Sequence, residues 1–390
     1  MSERHDPRTA LASEHHADEV QSITHGGNLH EAALRFGIPY ADWLDLSTGI
    51  NPHGYPVPPV PSDAWRRLPD DGDGFTACAA RYYGAPDASH VLAVAGSQAA
   101  IRALPTLLPR ATVAIAPLTY GEYAPAFARA GHVVAPLDVA CAALPDDVTH
   151  AVVVNPNNPT AAYLGASQLL DWHAQLAARG GTLIVDEAFA DAFGETFADD
   201  AGHASNTDAS PPSRQTQHDA ALAVVPSRSL AAHVAHLNLV VLRSPGKFFG
   251  LAGVRAGFVL AAPVLLAQLH ATLGAWTVSG PARHAVRAAF TDRAWQHDMR
   301  KRLAVEGARL HASLEQHRLQ PRSTPLFAWT DDARALALHH ALAQRGIWTR
   351  LFATHASVRF GLPATEVEWS RLERALAESI ASLSQHGAQR

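Results

Sequence analysis

Lysine is almost missing from this chain. Of 31 basic residues in 390, only Lys247 and Lys301 are lysines, and the rest are arginines. Arginine stays charged and cannot form an imine, whereas a desolvated lysine can lose its proton and act as base or nucleophile. A Lys-poor, Ala/Arg-rich composition is also what a GC-rich genome produces, so the shortage marks two positions without assigning either. Cysteine is equally scarce. Cys78 and Cys141 lie far apart, with no CxxC pair and no Cys/His cluster at zinc spacing, so neither a disulfide scaffold nor a structural metal is expected. Basic residues are not in excess: 31 Lys+Arg face 36 Asp+Glu, for a net charge of −5. Nucleic acid and anionic membranes are therefore not expected partners. Residues 1–18 are polar and lack the apolar segment of a secretory signal. No run approaches the length of a membrane span, and a cytoplasmic protein is expected.

What is present is material for a large core. AVILMFWYC make up 47% of the chain and DEKR 17%, and the length exceeds what one hydrophobic core usually serves. Residues 1–55 read as a frayed tail and an extended arm, with a helix at Asn28–Phe36. Short apolar runs follow at Val91–Ala95, Thr112–Ala116, His132–Ala135, Ala151–Val154, Thr182–Val185, Leu239–Leu242 and Gly257–Leu260. They are continuous rather than alternating, as strands buried on both faces are. Helical stretches at Gln98–Leu108, Glu122–Ala130 and Ala166–Arg179 separate several of them. The alternation predicts an α/β fold, three layers with a mostly parallel central sheet, over residues 56–280. Residues 199–219 are polar and carry Pro211-Pro212, which reads as a mobile surface insertion. Beyond Pro281 longer helices (Pro281–His317, Ala333–Arg345, Ala364–Gln385) and short strands predict a smaller α+β domain over 281–390.

Ligands in open α/β sheets bind outside the carboxyl ends of strands, and four such ends carry polar residues. Gly96-Ser97-Gln98 opens a helix, where free amides suit an anion. Asn155-Pro156-Asn157-Asn158-Pro159-Thr160 forms a rigid polar turn. Asp186 ends its run at the mouth of the sheet, where a carboxylate can keep a heterocyclic nitrogen protonated. Arg243-Ser244-Pro245-Gly246-Lys247-Phe248-Phe249 contains one of the two lysines in apolar company, which disfavours the ammonium. Arg255 follows eight residues later as a phosphate fork. Each signal is also an ordinary cap or turn, but the joint order is specific.

That constellation resembles the fold-type-I pyridoxal-phosphate enzymes, the aspartate-aminotransferase superfamily, from about His25 to the last helix. The resemblance implies that Lys247 carries pyridoxal 5'-phosphate as an imine. Asp186 would pair with the pyridine nitrogen, Asn158 would bond the phenolic oxygen and Tyr120 would stack on the ring. Gly96, Ser97, Gln98, Ser244 and Arg255 would hold the phosphate. The segments His25-Gly26-Gly27-Asn28, Leu46-Ser47-Thr48-Gly49-Ile50-Asn51-Pro52-His53-Gly54 and Asp186-Glu187-Ala188-Phe189 are similar to threonine-phosphate decarboxylases of cobalamin synthesis. This implies decarboxylation of a phosphorylated amino acid by a homodimer. His25, Asn28, Asn51 and Arg350 are the candidates for the substrate, with Arg359 on its carboxylate. Three departures accompany the likeness: Phe189 where relatives usually carry Tyr, Ala161 where Gly usually follows Asn-Pro-Thr, and Leu68 where many have Tyr.

The alternative within the superfamily is an aminotransferase of the histidinol-phosphate type. Ser244-Pro245-Gly246-Lys247 also matches the Ser-x-x-Lys of penicillin-recognising acyl enzymes, but no Lys-Thr-Gly exists downstream. A non-catalytic ligand sensor of the same fold would need a DNA-binding domain, for which the segment before Thr24 is too short. A Walker-type loop is excluded because Phe248 follows Lys247. Lys301, within Arg300-Lys301-Arg302, reads as a solvated helix face.

Overall fold

A computed structural model describes residues 25–193 and 229–387 of the chain. The insertion expected at 199–219 lies outside the described residues. Thirteen strands occur among those described: β1 (Leu44–Asp45), β2 (Val91–Val94), β3 (Thr112–Ile115), β4 (Val133–Pro136), β5 (His150–Val154), β6 (Leu183–Asp186), β7 (Leu239–Arg243), β8 (Gly257–Ala261), β9 (Arg322–Thr324), β10 (Phe327–Asp331), β11 (Ile347–Trp348), β12 (Arg350–Phe352) and β13 (Ser357–Gly361). Seven form one sheet in the order β2-β8-β7-β6-β5-β3-β4, and four form a second in the order β12-β13-β10-β9. The large sheet is parallel except for β8, which is antiparallel to both β2 and β7.

The continuous apolar runs have a simple cause. Side chains alternate across the sheet, yet both faces are covered. Ala151, Val153, Leu183, Val185, Leu239 and Val241 join one core with helices Phe75–Tyr83, Ala166–Ala178 and Gly280–Thr291. Val152, Val154, Ile184, Val240 and Leu242 join another with helices Ser97–Leu107 and Tyr123–Arg129. Each fully buried Val, Leu or Ile contributes roughly 1.5–3 kcal/mol against exposure. Edge strand β4 departs from the rule, with Val133 66% exposed.

The single antiparallel strand positions the site. Because β8 runs against its neighbours, its amino end lies beside the carboxyl ends of β2 and β7: Gly257 pairs with Val94, and Phe258 with Arg243. The connection from β7 to β8, which holds Lys247 and Arg255, is thereby delivered to the mouth of the sheet next to Gly96.

The second sheet is tied to the arm. β1 pairs in parallel with β11, and Gly361 N–H donates to the Leu46 carbonyl at 2.7 Å. One predicted element is corrected. The helix expected over Pro281–His317 is two helices, Gly280–Thr291 and Arg293–Gln316, broken at Asp292, whose carboxylate accepts from Trp295 N–H at the new helix start. An Asp inside an apolar pattern favours a cap by bonding locally to backbone amides.

Candidate active site

At the carboxyl end of the large sheet a cleft of about 670 Å³ is lined by Gly96, Ser97, Gln98, Tyr120, Asn158, Asp186, Phe189, Ser244, Lys247 and Arg255 among others. It brings together every residue expected to hold the cofactor. An outer compartment shares Tyr120, Asn158, Phe189, Lys247 and Arg255 with it and adds His25, Thr48, Gly49, Arg350 and Arg359.

Lys247 lies on a short helix, Pro245–Phe248, directly after β7. The arm clamps this turn: Asn51 N–H donates to the Lys247 carbonyl at 3.0 Å, and the Asn51 side chain donates to the Phe248 carbonyl at 2.8 Å. The Phe189 ring is 5.7 Å from the Lys247 ammonium. Burial, together with Arg359 and Arg255 and against Asp186, pushes the Lys247 amine down to about 8. Asp186 ends β6, fully buried. Its carboxylate accepts from Tyr123 Oη at 2.7 Å and from Ala188 N–H at 3.0 Å. Burial raises its pKa above the ordinary carboxylate value, with Tyr123, Ala188 and Lys247 pulling the other way. Tyr123 is itself held protonated, its pKa driven well up by burial and by Asp186.

The anion end is built around Gly96. Its φ of +73° is left-handed, and a Cβ there would come within 2.8 Å of Arg255 Nη2. Glycine is thus required both by conformation and by close approach. The helix behind it, Ser97–Leu107, begins without a side-chain cap, so its leading amides face the cleft beside Arg255 and the Ser97 and Ser244 hydroxyls, which are 3.0 Å apart. Amides, hydroxyls and a guanidinium at one helix start form a phosphate cradle. With a buried carboxylate at the other side and a lysine of lowered pKa in the wall, the residues present fit a pyridoxal phosphate.

Outside this, Arg359 on β13 is buried. It donates to Asn158 Oδ1 and, at 2.6 Å, to the Ser47 carbonyl, while its Nε has no partner among the described residues. Burial and then Arg350 lower its pKa, and only Asp45 opposes them. Arg350 on β12 is the cross-strand neighbour of Arg359. A buried guanidinium bonded to neutral oxygens, with a second beside it, suits a substrate bearing anions.

Two expected site residues take other roles, and Gln98, which lines the cleft, has its side chain engaged elsewhere. Asn28 does not line the cleft; it caps the helix Leu29–Phe36, with Oδ1 accepting from Glu31 N–H. Asn51 is the clamp just described. The Gln98 carboxamide faces no open anion site, because Glu122 and Tyr120 take both its ends. Tyr123 and Glu122 were not singled out from the sequence. Their only signal is nearness to Tyr120 in Tyr120-Gly121-Glu122-Tyr123, with Tyr123 one turn away. The turn after Asn158 survives the missing glycine: Ala161 adopts φ +59°, at a cost of about 1 kcal/mol for a non-glycine residue. Phe189 packs edge-on against Phe327 at 5.0 Å and offers the cleft no donor.

The chain belongs to the aminotransferase class I and II family, whose model matches residues 69–376. Among its relatives is the threonine-phosphate decarboxylase of Pseudomonas aeruginosa, 44% identical over 91% of this chain and 97% of the relative. The threonine-phosphate decarboxylase of a Sinorhizobium species is 38% identical over 91% and 98%. The solved structure of histidinol-phosphate aminotransferase from Sinorhizobium meliloti in complex with pyridoxal-5'-phosphate superposes with a TM-score of 0.69 at 18% identity. It covers 96% of this chain and 100% of that one, a likeness of fold.

Proposed function

We propose that this chain is a pyridoxal-phosphate-dependent carboxy-lyase. It converts L-threonine O-3-phosphate to (R)-1-aminopropan-2-yl phosphate and CO2, the step that supplies the aminopropanol linker of cobalamin. The observation that carries this is the 44% identity, over nearly all of both chains, to a threonine-phosphate decarboxylase. The cleft supports it, since Arg359, Arg350 and His25 line one compartment opening onto Lys247, and the substrate carries two anionic groups.

When bound, pyridoxal phosphate acts as the sink for the electron pair that the departing carboxylate leaves on Cα. Gly96, Ser97, Ser244 and Arg255 would hold its phosphate, Asp186 its ring nitrogen, Asn158 its phenolic oxygen and Tyr120 its face. Asp186 is suited to that task because burial makes its carboxylate a stronger proton acceptor than an exposed one. Tyr120, its pKa pushed up to about 12 by burial and then by Asp186 and Glu122, remains a neutral phenol. Arg359 faces the substrate carboxylate, and Arg350 with His25 the phosphate. Their spacing decides which bond at Cα is presented for cleavage, because orientation sets the reacting geometry. Lys247 stands in both compartments and is the group placed to deliver the proton that replaces CO2 on Cα.

The purified protein should release CO2 from L-threonine O-3-phosphate with no oxo-acid acceptor, and Lys247→Arg should lose both turnover and cofactor capture while remaining folded. Turnover strictly dependent on 2-oxoglutarate would instead establish the aminotransferase of the histidinol-phosphate type.

The division into a cofactor domain over 56–280 and a small domain over 281–390 belongs to the same proposal. It is supported by β8 ending at Ala261 and β9 starting at Arg322, with no strand shared between the two sheets. A homodimer is part of it too. Trp65 and Trp276 are 68% and 60% exposed, and helix Ser62–Arg66 packs on the start of helix Gly280–Thr291, where a Cβ at Gly280 would meet the Ala64 carbonyl at 2.2 Å, which brings the stretches bearing the two tryptophans together. Exposed aromatics so grouped mark an interface. Trp65→Glu with Trp276→Glu should halve the mass measured by light scattering; an unchanged mass would exclude this face. No described helix is long and apolar enough to cross a membrane. A doubly anionic substrate does not cross a bilayer unaided, which favours a cytoplasmic location.

A further inference from the structure

We propose that Glu122 is a positioning residue whose one carboxylate sets the orientation of two neighbouring rings, His25 in the outer compartment and Tyr120, which lines both compartments. Glu122 is 3% exposed. Its Oε1 accepts from His25 Nε2 at 2.9 Å and its Oε2 from Gln98 Nε2 at 2.6 Å, with exposed Arg102 at 3.6 Å. Gln98 Oε1 in turn accepts from Tyr120 Oη at 3.1 Å. The His25 and Tyr120 ring centroids are 6.3 Å apart.

The directions in this network follow from one fact: a carboxylate only accepts hydrogen bonds. Gln98 must therefore turn its NH2 to Glu122, which leaves its carbonyl for Tyr120 and fixes the direction of the phenol O–H. His25 must turn an N–H at Nε2 to Glu122, which commits Nδ1 to the outer compartment. A buried carboxylate is costly unless it is hydrogen-bonded, and here one oxygen serves the His25 ring directly and the other serves Gln98, through which it reaches Tyr120. The chain does not form a proton wire, because the Gln98 amide between Glu122 and Tyr120 does not pass a proton on. Its effect is orientation, transmitted in both directions from one charge.

Replacing Glu122 by Gln leaves one acceptor where two are needed. If its carbonyl serves Gln98, its NH2 faces His25, whose Nε2 must then be the bare nitrogen. E122Q should therefore reverse one arm of the network: His25 passes from the Nε2–H to the Nδ1–H tautomer, or, if the Gln98 amide inverts instead, the Tyr120 hydroxyl turns from donor to acceptor. Nitrogen-15 spectra of histidine-labelled protein at alkaline pH would show the first, with the His25 signal identified by its loss in H25N. E122Q should also weaken pyridoxal-phosphate binding to the apoprotein and raise KM for threonine phosphate, each roughly ten- to a hundredfold for a lost charge-assisted bond. Its kcat should fall by less than KM rises, since no reacting group is touched. E122D, which keeps the carboxylate, should recover most of both. In double variants, E122Q should add little to the KM effect of H25N and little to the cofactor effect of Q98A, because each pair acts as a unit.

Three results would overturn the proposal: additive effects in both cycles, a native His25 in the Nδ1–H form, or an E122Q that loses thermal stability while KM and cofactor affinity hold. If E122Q does not accumulate folded, the native tautomer and the single variants H25N and Q98A decide. Only the KM readout rests on threonine phosphate being the substrate. Should the native enzyme fail to turn it over, the proposed function falls while the tautomer and the cofactor affinity still judge Glu122.

Discussion

Burial, Arg359 and Arg255 all oppose an ammonium at Lys247, and only Asp186 favours one. In the apoprotein this amounts to a stability cost with a defined pH window. The folded-state value is about 8 against an ordinary 10.5. Below pH 8 both states hold the proton, and the folded state bears a cost of about 3 kcal/mol. Between pH 8 and 10.5 the unfolded chain holds more protons than the folded one, so stability rises with pH. Apo Lys247→Met should therefore be more stable than the native apoprotein near pH 7, and the difference should shrink as pH approaches 10.5. Urea unfolding at several pH values measures it; a gap that does not change with pH would mean that Lys247 is not desolvated. Asp186 was legible from the sequence because it follows directly on an apolar run, and Lys247 because it is one of only two lysines and stands a few residues past another run. Tyr123 and Glu122 were not, since their partners stand 63 positions away at Asp186, and 24 and 97 away at Gln98 and His25.

Strand ends carry the site, and the ends of β6 and β7 are bolted together beneath it. Arg243 bonds Glu187 at 2.5 Å and also Asp191, all three buried, and its guanidinium lies 4.5 Å from the Tyr83 ring. Burial opposes the Arg243 charge, but Asp191 and Glu187 outweigh it and raise its pKa. Since Glu187 follows Asp186 and Arg243 precedes Ser244, the pair sets the distance between the Asp186 carboxylate and the Ser244 end of the cleft. Arg243→Met should cost about 3–5 kcal/mol, because it strands two buried carboxylates. Glu187→Gln with Asp191→Asn in the same background should recover part of that loss in thermal unfolding. The strands themselves were visible as continuous apolar runs because both faces of the sheet are covered. Helix Pro263–Leu273 escaped notice: PVLLAQLHATL carries apolar residues with little periodicity and follows directly on β8. The reversed direction of β8 was equally hidden, since no local residue pattern encodes which way a buried strand runs.

At the scale of the molecule, the outer compartment joins the arm to the second sheet, and the inner cleft belongs to the large sheet. His25, Thr48 and Gly49 come from one end of the chain, and Arg350 and Arg359 from the other. The seam between them is close-packed: a Cβ at Gly49 would meet the Phe189 ring at 2.9 Å and the Phe327 ring at 3.0 Å. The pairing of β1 with β11 has a consequence in time. Residues 44 and 45 wait for residues 347 and 348, roughly 300 positions later, and at ~5–20 residues per second of synthesis that is on the order of 15–60 s. All seven strands of the large sheet, by contrast, have been made once residue 261 is added. Nascent chains arrested near residue 340 should therefore protect the large sheet and the Asn51–Tyr55 clamp from protease while leaving 25–46 cleavable; early protection of 25–46 would show that this part of the arm docks without β11. In the growing protein the inner cleft around Lys247 is ready well before the outer compartment that Arg350 and Arg359 complete.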